Sequence, residues 1–229
     1  MPGDIPVTSQ RGAAFFDFDG TLIRSDSQAV EAIWRLRHQR HPALFLTRLL
    51  PSMVIGLLAG LGLASQHANN LAYLRTYRGC NEADLVKLGK DLFRKQIRRA
   101  FIPQCLDIMA AHRRAGDRIV IASAAPHHIL APVAIYLKPD FLIYTQLEAD
   151  PLGCCTGRPR DAICIGDEKA KQIRYLAVCH RLDLAASHAY SDHHADVPML
   201  TSVGRPHVVN PSKRLENTAR KLGWPIHHF

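Results

Sequence analysis

The sequence has no cysteine arrangement that is typical of a zinc module or a disulfide framework. Its six cysteines form no Cys-x-x-Cys pair, and they are Cys80, Cys105, Cys154, Cys155, Cys164 and Cys179. This excludes the small disulfide-stapled and zinc-ribbon classes of protein. Residues 1–12 also contain no apolar core, so we expect no signal peptide there. Both absences favour a reduced, cytoplasmic location.

Nucleic-acid-binding motifs are also missing, although the chain is basic. The formal net charge is +9, and basic residues are concentrated in residues 34–41 and 94–101. No basic motif interleaved with aromatic residues and no named nucleic-acid module occurs. The simplest interpretation of these runs is a solvated basic helix face, so no nucleic-acid partner is expected.

One segment carries no charge at all, from Leu49 to Ser65. It is shorter than the roughly 20 apolar residues that a membrane-spanning helix needs, and Pro51 lies near its start. A buried helix is the simplest interpretation. The alternative is an interfacial surface helix or a lipid-facing mouth, supported by the nearby basic residues Arg35, Arg37, Arg40 and Arg48. Membrane contact through residues 49–65 is therefore possible but not favoured.

The 229-residue chain is 47% hydrophobic, which suits a folded protein with one domain and a large insertion, or with two small domains. Five short apolar runs predict buried strands, at residues 13–18, 118–123, 140–145, 187–191 and 206–210. Helical patterns precede the second run, follow it, and precede the fourth. This alternation predicts an α/β fold with a doubly wound parallel sheet.

The alternation is interrupted between residues 26 and 100, where we find no convincing strand and predict several helices. The segment begins directly after the first strand and its polar continuation. We therefore predict an inserted α-helical cap domain at residues 26–100. Residues 1–25 and 101–229 would form the α/β core domain.

Polar side chains follow several of the predicted strands at their carboxyl ends. Asp17 and Asp19 end the first strand, Ser123 ends the second, and Asp192 and Asp196 follow the fourth. Ligands of open α/β sheets bind at this edge. Residues i and i+2 of an extended chain share one side, so the first two aspartates can point into one cavity. Such carboxylates would repel one another without a cation, and Mg²⁺ is the natural choice.

These residue types support phosphoryl transfer through a covalent intermediate. One aspartate can attack phosphorus, and a carboxylate two residues later can protonate the leaving oxygen and then activate water. A lysine can balance the phosphoryl charge; Lys169, at the start of a predicted helix, is the candidate, and Lys171 is its competitor. A serine hydroxyl and the backbone N–H groups of a glycine-containing turn can hold the phosphate oxygens.

Four motifs occur along the chain in the order seen in the haloacid dehalogenase superfamily. They are FFDFDGTLIRSDS, IVIASAAP, GDEK and YSDHHADVPML. Over about residues 13–226 the chain resembles the phosphoserine-phosphatase-like subfamily IB. The resemblance implies a Rossmann-like core with a helical cap, and Mg²⁺-dependent phosphatase activity.

The resemblance also implies a role for each matching residue. Asp17 resembles the phosphoryl-accepting nucleophile, Asp19 the general acid/base, and Lys169 the lysine that steadies nucleophile and phosphate. The implied Mg²⁺ ligands are Asp17, the main-chain carbonyl of Asp19, and Asp192. The remaining implied site residues are the phosphate- or substrate-binding Gly20, Ser123, Ala124 and Asp26, and the supporting Thr21 and Asp196.

The chain departs from phosphoserine phosphatases at several of these motifs. Asp26 stands where a glutamate usually faces the substrate amine, and it is equally open to a role as a helix N-cap. Ala124 and Ala125 replace a Gly-Gly pair, and Ala195 replaces an asparagine. These differences bear on phosphoserine as the substrate and leave phosphomonoester hydrolysis unaffected.

We therefore predict a cytoplasmic, Mg²⁺-dependent phosphomonoester hydrolase that forms a phospho-aspartyl intermediate on a small phosphorylated metabolite. Two alternatives remain open. One is a phosphotransferase that uses the same aspartyl-phosphate. The other is a non-catalytic module that docks on a membrane or nucleic acid, although such a module has no need for several carboxylates at one sheet edge.

Overall fold

The structure is a computed structural model, and it describes residues 11–39 and 41–229. Residues 1–10, which include most of the stretch expected to lack a signal peptide, lie outside the described residues. Arg40, one of the basic residues near the charge-free segment, lies outside them as well.

Six parallel strands form the central sheet, in the order β3-β2-β1-β6-β7-β8. A two-stranded antiparallel hairpin, β4-β5, lies apart from it. The strands are β1 Ala13–Phe16, β2 Arg118–Pro126, β3 Phe141–Thr145, β4 Leu147–Ala149, β5 Cys155–Pro159, β6 His188–Ser191, β7 Arg205–Val209 and β8 Ile226–His227. The predicted doubly wound parallel sheet is confirmed.

Helices are numbered along the chain, and those from Pro103 onward cover both faces of the sheet. The helices are α1 Ser27–His38, α2 Pro42–Gly60, α3 Gln66–Leu74, α4 Glu82–Leu92, α5 Arg98–Ala100, α6 Pro103–Ala115, α7 His127–Leu137, α8 Gly166–His180, α9 Val197–Leu200 and α10 Lys213–Leu222. A π-helical turn, Phe93–Ile97, and two short 3₁₀ helices, Arg75–Tyr77 and His194–Asp196, complete the assignment.

The alternation of side chains along β1 explains why its sequence is apolar throughout. Ala14 and Phe16 face a cluster that includes residues of α6 and α7. Ala13 and Phe15 face the opposite cluster, which includes residues of α8, α9 and α10. Successive residues of a strand point to opposite faces, so a strand covered on both sides reads as an uninterrupted apolar run.

Some predicted boundaries were wrong. β1 ends at Phe16, two residues before its predicted end, and β2 continues past Ser123 to Pro126. The pairing of β2 with β3 changes register between Ala122 and Pro126, so the extra residues lack the pattern of a regular strand. The hairpin β4-β5 and the two-residue β8 were missed, because they are short and lack a long apolar run.

The segment between β1 and β2 is mainly helical over its described residues, from α1 to α5. α1 begins directly after Asp26, and α5 ends at Ala100. The buried Glu31 of α1 accepts a hydrogen bond from the hydroxyl of Tyr77 at 2.7 Å, and it also lies 3.4 Å from Nε2 of His128 in α7. The inserted helices are thus joined to the α/β part through buried polar contacts.

The interpretation of the charge-free segment as a buried helix was wrong. Its residues 49–60 lie in α2, where only Phe45, Leu49 and Ser52 are buried. Within the described residues, α2 is the one helix long and apolar enough to meet the length and composition criteria for a membrane span, and only 17% of its apolar window is buried. Arg35, which was grouped with this segment, is itself buried beside Glu31.

Candidate active site

A cavity of about 320 Å³ lies at the carboxyl ends of β1, β2 and β6. It lies where two neighbours of β1 diverge, since β1 pairs with β2 on one side and with β6 on the other. Nine of the ten residues predicted for the site line this cavity: Asp17, Asp19, Gly20, Asp26, Ser123, Ala124, Lys169, Asp192 and Asp196. The tenth, Thr21, is buried behind it.

Lys169 is held between two carboxylates. Its Nζ lies 2.8 Å from Oδ1 of Asp17 and 2.8 Å from Oδ1 of Asp196. Ser191 also donates from its hydroxyl to Oδ2 of Asp196, at 2.7 Å. The competing Lys171 is exposed and pairs with Glu168 instead. The buried lysine is therefore the one that reaches the predicted nucleophile.

Asp19 turns toward the start of α1. Its Oδ1 accepts the backbone N–H of Ser27 at 2.7 Å, and its Oδ2 accepts the hydroxyl of the same residue at 3.1 Å. Asp26 caps α1 by accepting the backbone N–H groups of Gln28 at 2.8 Å and Ala29 at 3.1 Å. Asp26 thus serves as an N-cap and also lines the cavity.

Gly20 is required where the chain turns from β1 toward α1. Its φ is +71°, and a Cβ atom at this position would overlap the carboxylate of Asp192. Thr21 donates a hydrogen bond from Oγ1 to Oδ1 of Asp192 at 3.3 Å. The turn therefore brings backbone close to one carboxylate and orients it through the threonine hydroxyl.

Ser123 and Ala124 bring β2 to the cavity opposite these carboxylates. Ser123 is buried, and its Oγ accepts the backbone N–H of Ala125 at 3.0 Å. Because the oxygen is already an acceptor of this bond, the hydroxyl proton can be donated to a ligand in the cavity.

The cavity has an excess of negative charge. Burial raises the pKa of Asp17 to about 6, although Lys169 beside it acts in the opposite direction. Burial, with Asp26 and Asp17 nearby, raises the pKa of Asp19 to about 8. Burial, with Asp17 and Asp196 nearby, raises the pKa of Asp192 to about 8. The cavity lining includes five aspartates but only one lysine and one arginine, so its oxygen donors suit a hard divalent cation.

Sequence reasoning missed several residues of the cavity wall. Gln28 of α1, and Gln66 and Asn70 of α3, line the cavity, as does Arg24. The side-chain amides of Gln28 and Asn70 are hydrogen-bonded to each other. The spacing of Gln66 and Asn70, four residues apart on one helix, was a signal for a shared face, but nothing in the sequence connected that face to the site.

A doubly wound parallel sheet with clustered carboxylates at the strand ends defines a class of α/β enzymes that bind ligands at that edge. The chain belongs to the haloacid dehalogenase-like hydrolase family, whose model matches residues 14–201.

Individual relatives agree with this assignment. The chain is 32% identical to a Streptomyces azureus protein named "Inhibition of morphological differentiation protein", over 96% of this chain and 79% of that one. It is 32% identical to a Mycobacterium tuberculosis protein named phosphoserine phosphatase, over 98% and 73%. The crystal structure of a Bordetella pertussis protein of unknown function matches with a TM-score of 0.82 at 27% identity, over 96% and 99%. The predicted superfamily, its phosphoserine-phosphatase-like branch and the prediction of an enzyme are confirmed.

Proposed function

We propose that this chain is a Mg²⁺-dependent phosphomonoester hydrolase that acts through an aspartyl-phosphate on Asp17. The observation that carries the proposal is the buried contact of Lys169 with Asp17, beside Asp19, Ser123 and Asp192 in one cavity. A nucleophile, an acid/base, a phosphate-binding hydroxyl and a charge-balancing lysine are what phosphoryl transfer to a carboxylate needs.

In the first half-reaction, a carboxylate oxygen of Asp17 attacks phosphorus and the bond to the ester oxygen breaks. Asp19 donates its proton to that leaving oxygen, which departs as an alcohol. Burial raises the pKa of Asp19, which favours the protonated carboxyl that this step needs. Lys169 and the hydroxyl of Ser123 hold the phosphoryl oxygens during the transfer.

In the second half-reaction, Asp19 accepts a proton from a water molecule that attacks the phosphorus. The bond between phosphorus and Asp17 breaks, and inorganic phosphate leaves with the carboxylate restored. Asp196 accepts hydrogen bonds from Lys169 and from the hydroxyl of Ser191. Ser191 therefore orients Asp196, and Asp196 keeps Lys169 in place throughout.

The residues present fit a divalent cation of the Mg²⁺ type. Asp17, Asp192 and the main-chain carbonyl of Asp19 would hold it, an oxygen-only donor set with excess negative charge. When bound, Mg²⁺ would neutralise charge on the phosphoryl group and on the surrounding carboxylates. His193 is exposed and lines the cavity, and its Nδ1 accepts the backbone N–H of Ala195; we assign it no ligand role because Mg²⁺ prefers oxygen ligands.

We further propose that residues 26–100 act as a cap that selects the substrate. Gln28, Gln66 and Asn70 are the support for this role, because they line the cavity from the inserted helices. Their neutral amides can hydrogen-bond the substrate away from the phosphate. The substrate class we infer is a small phosphomonoester, in line with the name of the mycobacterial relative.

The test measures phosphate release from a panel of phosphomonoesters with Mg²⁺ and with EDTA. The panel includes phosphoserine, sugar phosphates, nucleotides and phosphocholine. We expect Asp17→Asn to lower turnover by at least about 10⁴, because the covalent step is lost. EDTA should lower it similarly, and added Mg²⁺ should restore it.

The matched control is Asp107→Asn, which makes the same chemical change at an exposed position of α6 outside the cavity. It should release phosphate like the wild type. Release that survives in Asp17→Asn would reject the aspartyl-phosphate. Transfer to an added alcohol, in place of release to water, would instead identify a phosphotransferase.

A further inference from the structure

One face of α2 is apolar and exposed to solvent. Its residues recur three or four positions apart and therefore form a stripe along the helix. They are Leu46, Leu50, Met53, Val54 and Leu57, continued by Leu61 just after the helix, and each is between 41% and 68% exposed. We call these six residues the α2 apolar face. Contiguous exposed apolar surface of this kind marks a contact site for a partner or a membrane.

The other side of α2 is attached to the protein. Phe45, Leu49 and Ser52 are buried on it, and Ser52 donates a hydrogen bond from Oγ to Oδ1 of Asn69 at 3.0 Å. These buried residues hold α2 against α3, which carries part of the cavity wall. A helix bound along one side can rest in the plane of a surface, but it cannot cross a bilayer without breaking these contacts.

A groove that contains four arginines lies beside α2. Arg48, Arg75, Arg78 and Arg158 line this groove, which also contains Pro51 of α2. No Asp, Glu, Lys or Arg lies between Arg48 and Arg75 in the sequence. The same helix thus carries an exposed apolar stripe and contributes to a basic groove, and apolar and basic surface together are typical of interfacial helices that bind anionic lipid.

Two acidic residues also line that groove, and both are engaged within the β4-β5 hairpin. Glu148 accepts a hydrogen bond from the hydroxyl of Thr156. Asp150 accepts the backbone N–H groups of Leu152 and Cys154, each at 2.9 Å. The groove therefore keeps an excess of positive charge that these two carboxylates do not cancel.

We propose that the α2 apolar face docks on the surface of an anionic phospholipid membrane. A membrane of this kind offers an apolar layer to the exposed side chains of the face and negative headgroups to the arginines of the groove. A second copy of the chain fits less well. A two-fold contact would bring two sets of these arginines together, and the groove has four arginines but only two carboxylates to pair with them.

Docking would bring the cavity close to the lipid surface. α2 is followed by α3, whose Gln66 and Asn70 line the cavity. The cap wall of the site and the docking face therefore belong to neighbouring helices. This geometry would suit phosphomonoesters located at a membrane surface, a consequence that rests on the proposed hydrolase function, whereas the docking itself does not.

The experiment measures co-sedimentation of the purified protein with vesicles at low salt. One set of vesicles is phosphatidylcholine alone, and the other is an equal mixture with phosphatidylglycerol. We expect the wild type to bind the anionic vesicles, and Leu57→Glu to abolish that binding. Arg75→Glu should weaken it by about tenfold or more, because the substitution removes one positive charge near the anionic surface and adds a negative one.

The matched control is Val178→Glu on α8, which places the same charge at a residue that is 80% exposed and lies outside the α2 apolar face. It should bind vesicles like the wild type. Circular dichroism of each variant checks the fold, and sedimentation needs no turnover, so the result stands apart from the phosphatase assay.

Three results would overturn the inference. The first is a wild-type protein that does not co-sediment with anionic vesicles, and the second is equal binding by the wild type and Leu57→Glu. The third is a wild-type dimer, seen by light scattering, that Leu57→Glu dissociates, because the face would then be occupied by a second copy.

Discussion

Asp26 combines two tasks in one side chain. It caps α1 through the backbone N–H groups of Gln28 and Ala29, and it lines the cavity. The sequence left these two roles as alternatives, but the geometry allows both, because the start of α1 is itself a wall of the site. A residue of this kind can be tested only by variants that separate capping from charge.

Asp26→Ser and Asp26→Ala make that separation. We expect Asp26→Ala to lower the free energy of unfolding by about 1 kcal/mol and Asp26→Ser to leave it almost unchanged, since serine also caps helices. Both variants lose the carboxylate, so both should lose any preference for esters that carry an amine. Urea unfolding and KM values for phosphoserine and an amine-free ester are the measurements. Equal stability of the two variants would contradict the capping role.

At the scale of elements, α4 and α7 approach each other unusually closely. A Cβ atom on Gly89 of α4 would overlap the backbone carbonyl of His128 in α7. Glu31 of α1 reaches the side chain of the same histidine at 3.4 Å. The inserted helices are therefore fitted to the α/β part at one point where no larger residue is tolerated.

Gly89→Ala should consequently destabilise the protein. We expect a loss of roughly 2 kcal/mol or more in the free energy of unfolding, because the new methyl group would have to separate two helices. Gly60→Ala is the control, since no atom lies within 4 Å of a Cβ there and alanine is favoured in helices. Urea unfolding compares the two, and a stable Gly89→Ala protein would show that α4 can move away from α7.

At the scale of the whole molecule, imidazoles form a row across the edge of the sheet. His207 of β7 lies between His188 of β6 and His227 of β8, with ring nitrogens 3.0 Å and 3.3 Å apart. Burial, together with His188 and His227, lowers the pKa of His207 to about 4. Arg205 and His112 add to this effect.

The row predicts a pH-dependent loss of stability. A histidine with a pKa near 6.5 when unfolded and about 4 when folded binds more protons in the unfolded chain between those values. Its contribution is present above pH 6.5 and is lost as the pH falls toward 4.

The measurement compares the wild type with His207→Phe. As the pH falls from 6.5 toward 4, the unfolding free energy of the variant should rise relative to that of the wild type by about 1 kcal/mol. This value is reduced for the partial exposure of His207. The carboxylates of the cavity are common to both proteins and cancel in the difference. A difference that stays constant with pH would disprove the expected contribution of His207.

Local pattern determined a large part of the fold. The apolar runs of β1, β2, β3, β6 and β7 predicted the buried sheet, because strands covered on both faces are apolar at every position. The order of the four motifs predicted which side chains meet at the strand ends, because parallel strands present their carboxyl ends at one edge. The hairpin β4-β5 and β8 left no comparable pattern.

Only the tertiary structure decided which surfaces of the inserted helices are used. Gln66 and Asn70 reach the cavity because α3 packs beside α1, a long-range contact that no local pattern carries. α2 is apolar around most of its circumference, so its sequence is equally compatible with a buried and an exposed helix. Packing against α3 covers one stripe and leaves the α2 apolar face open, since burial depends on the neighbours that the fold brings together.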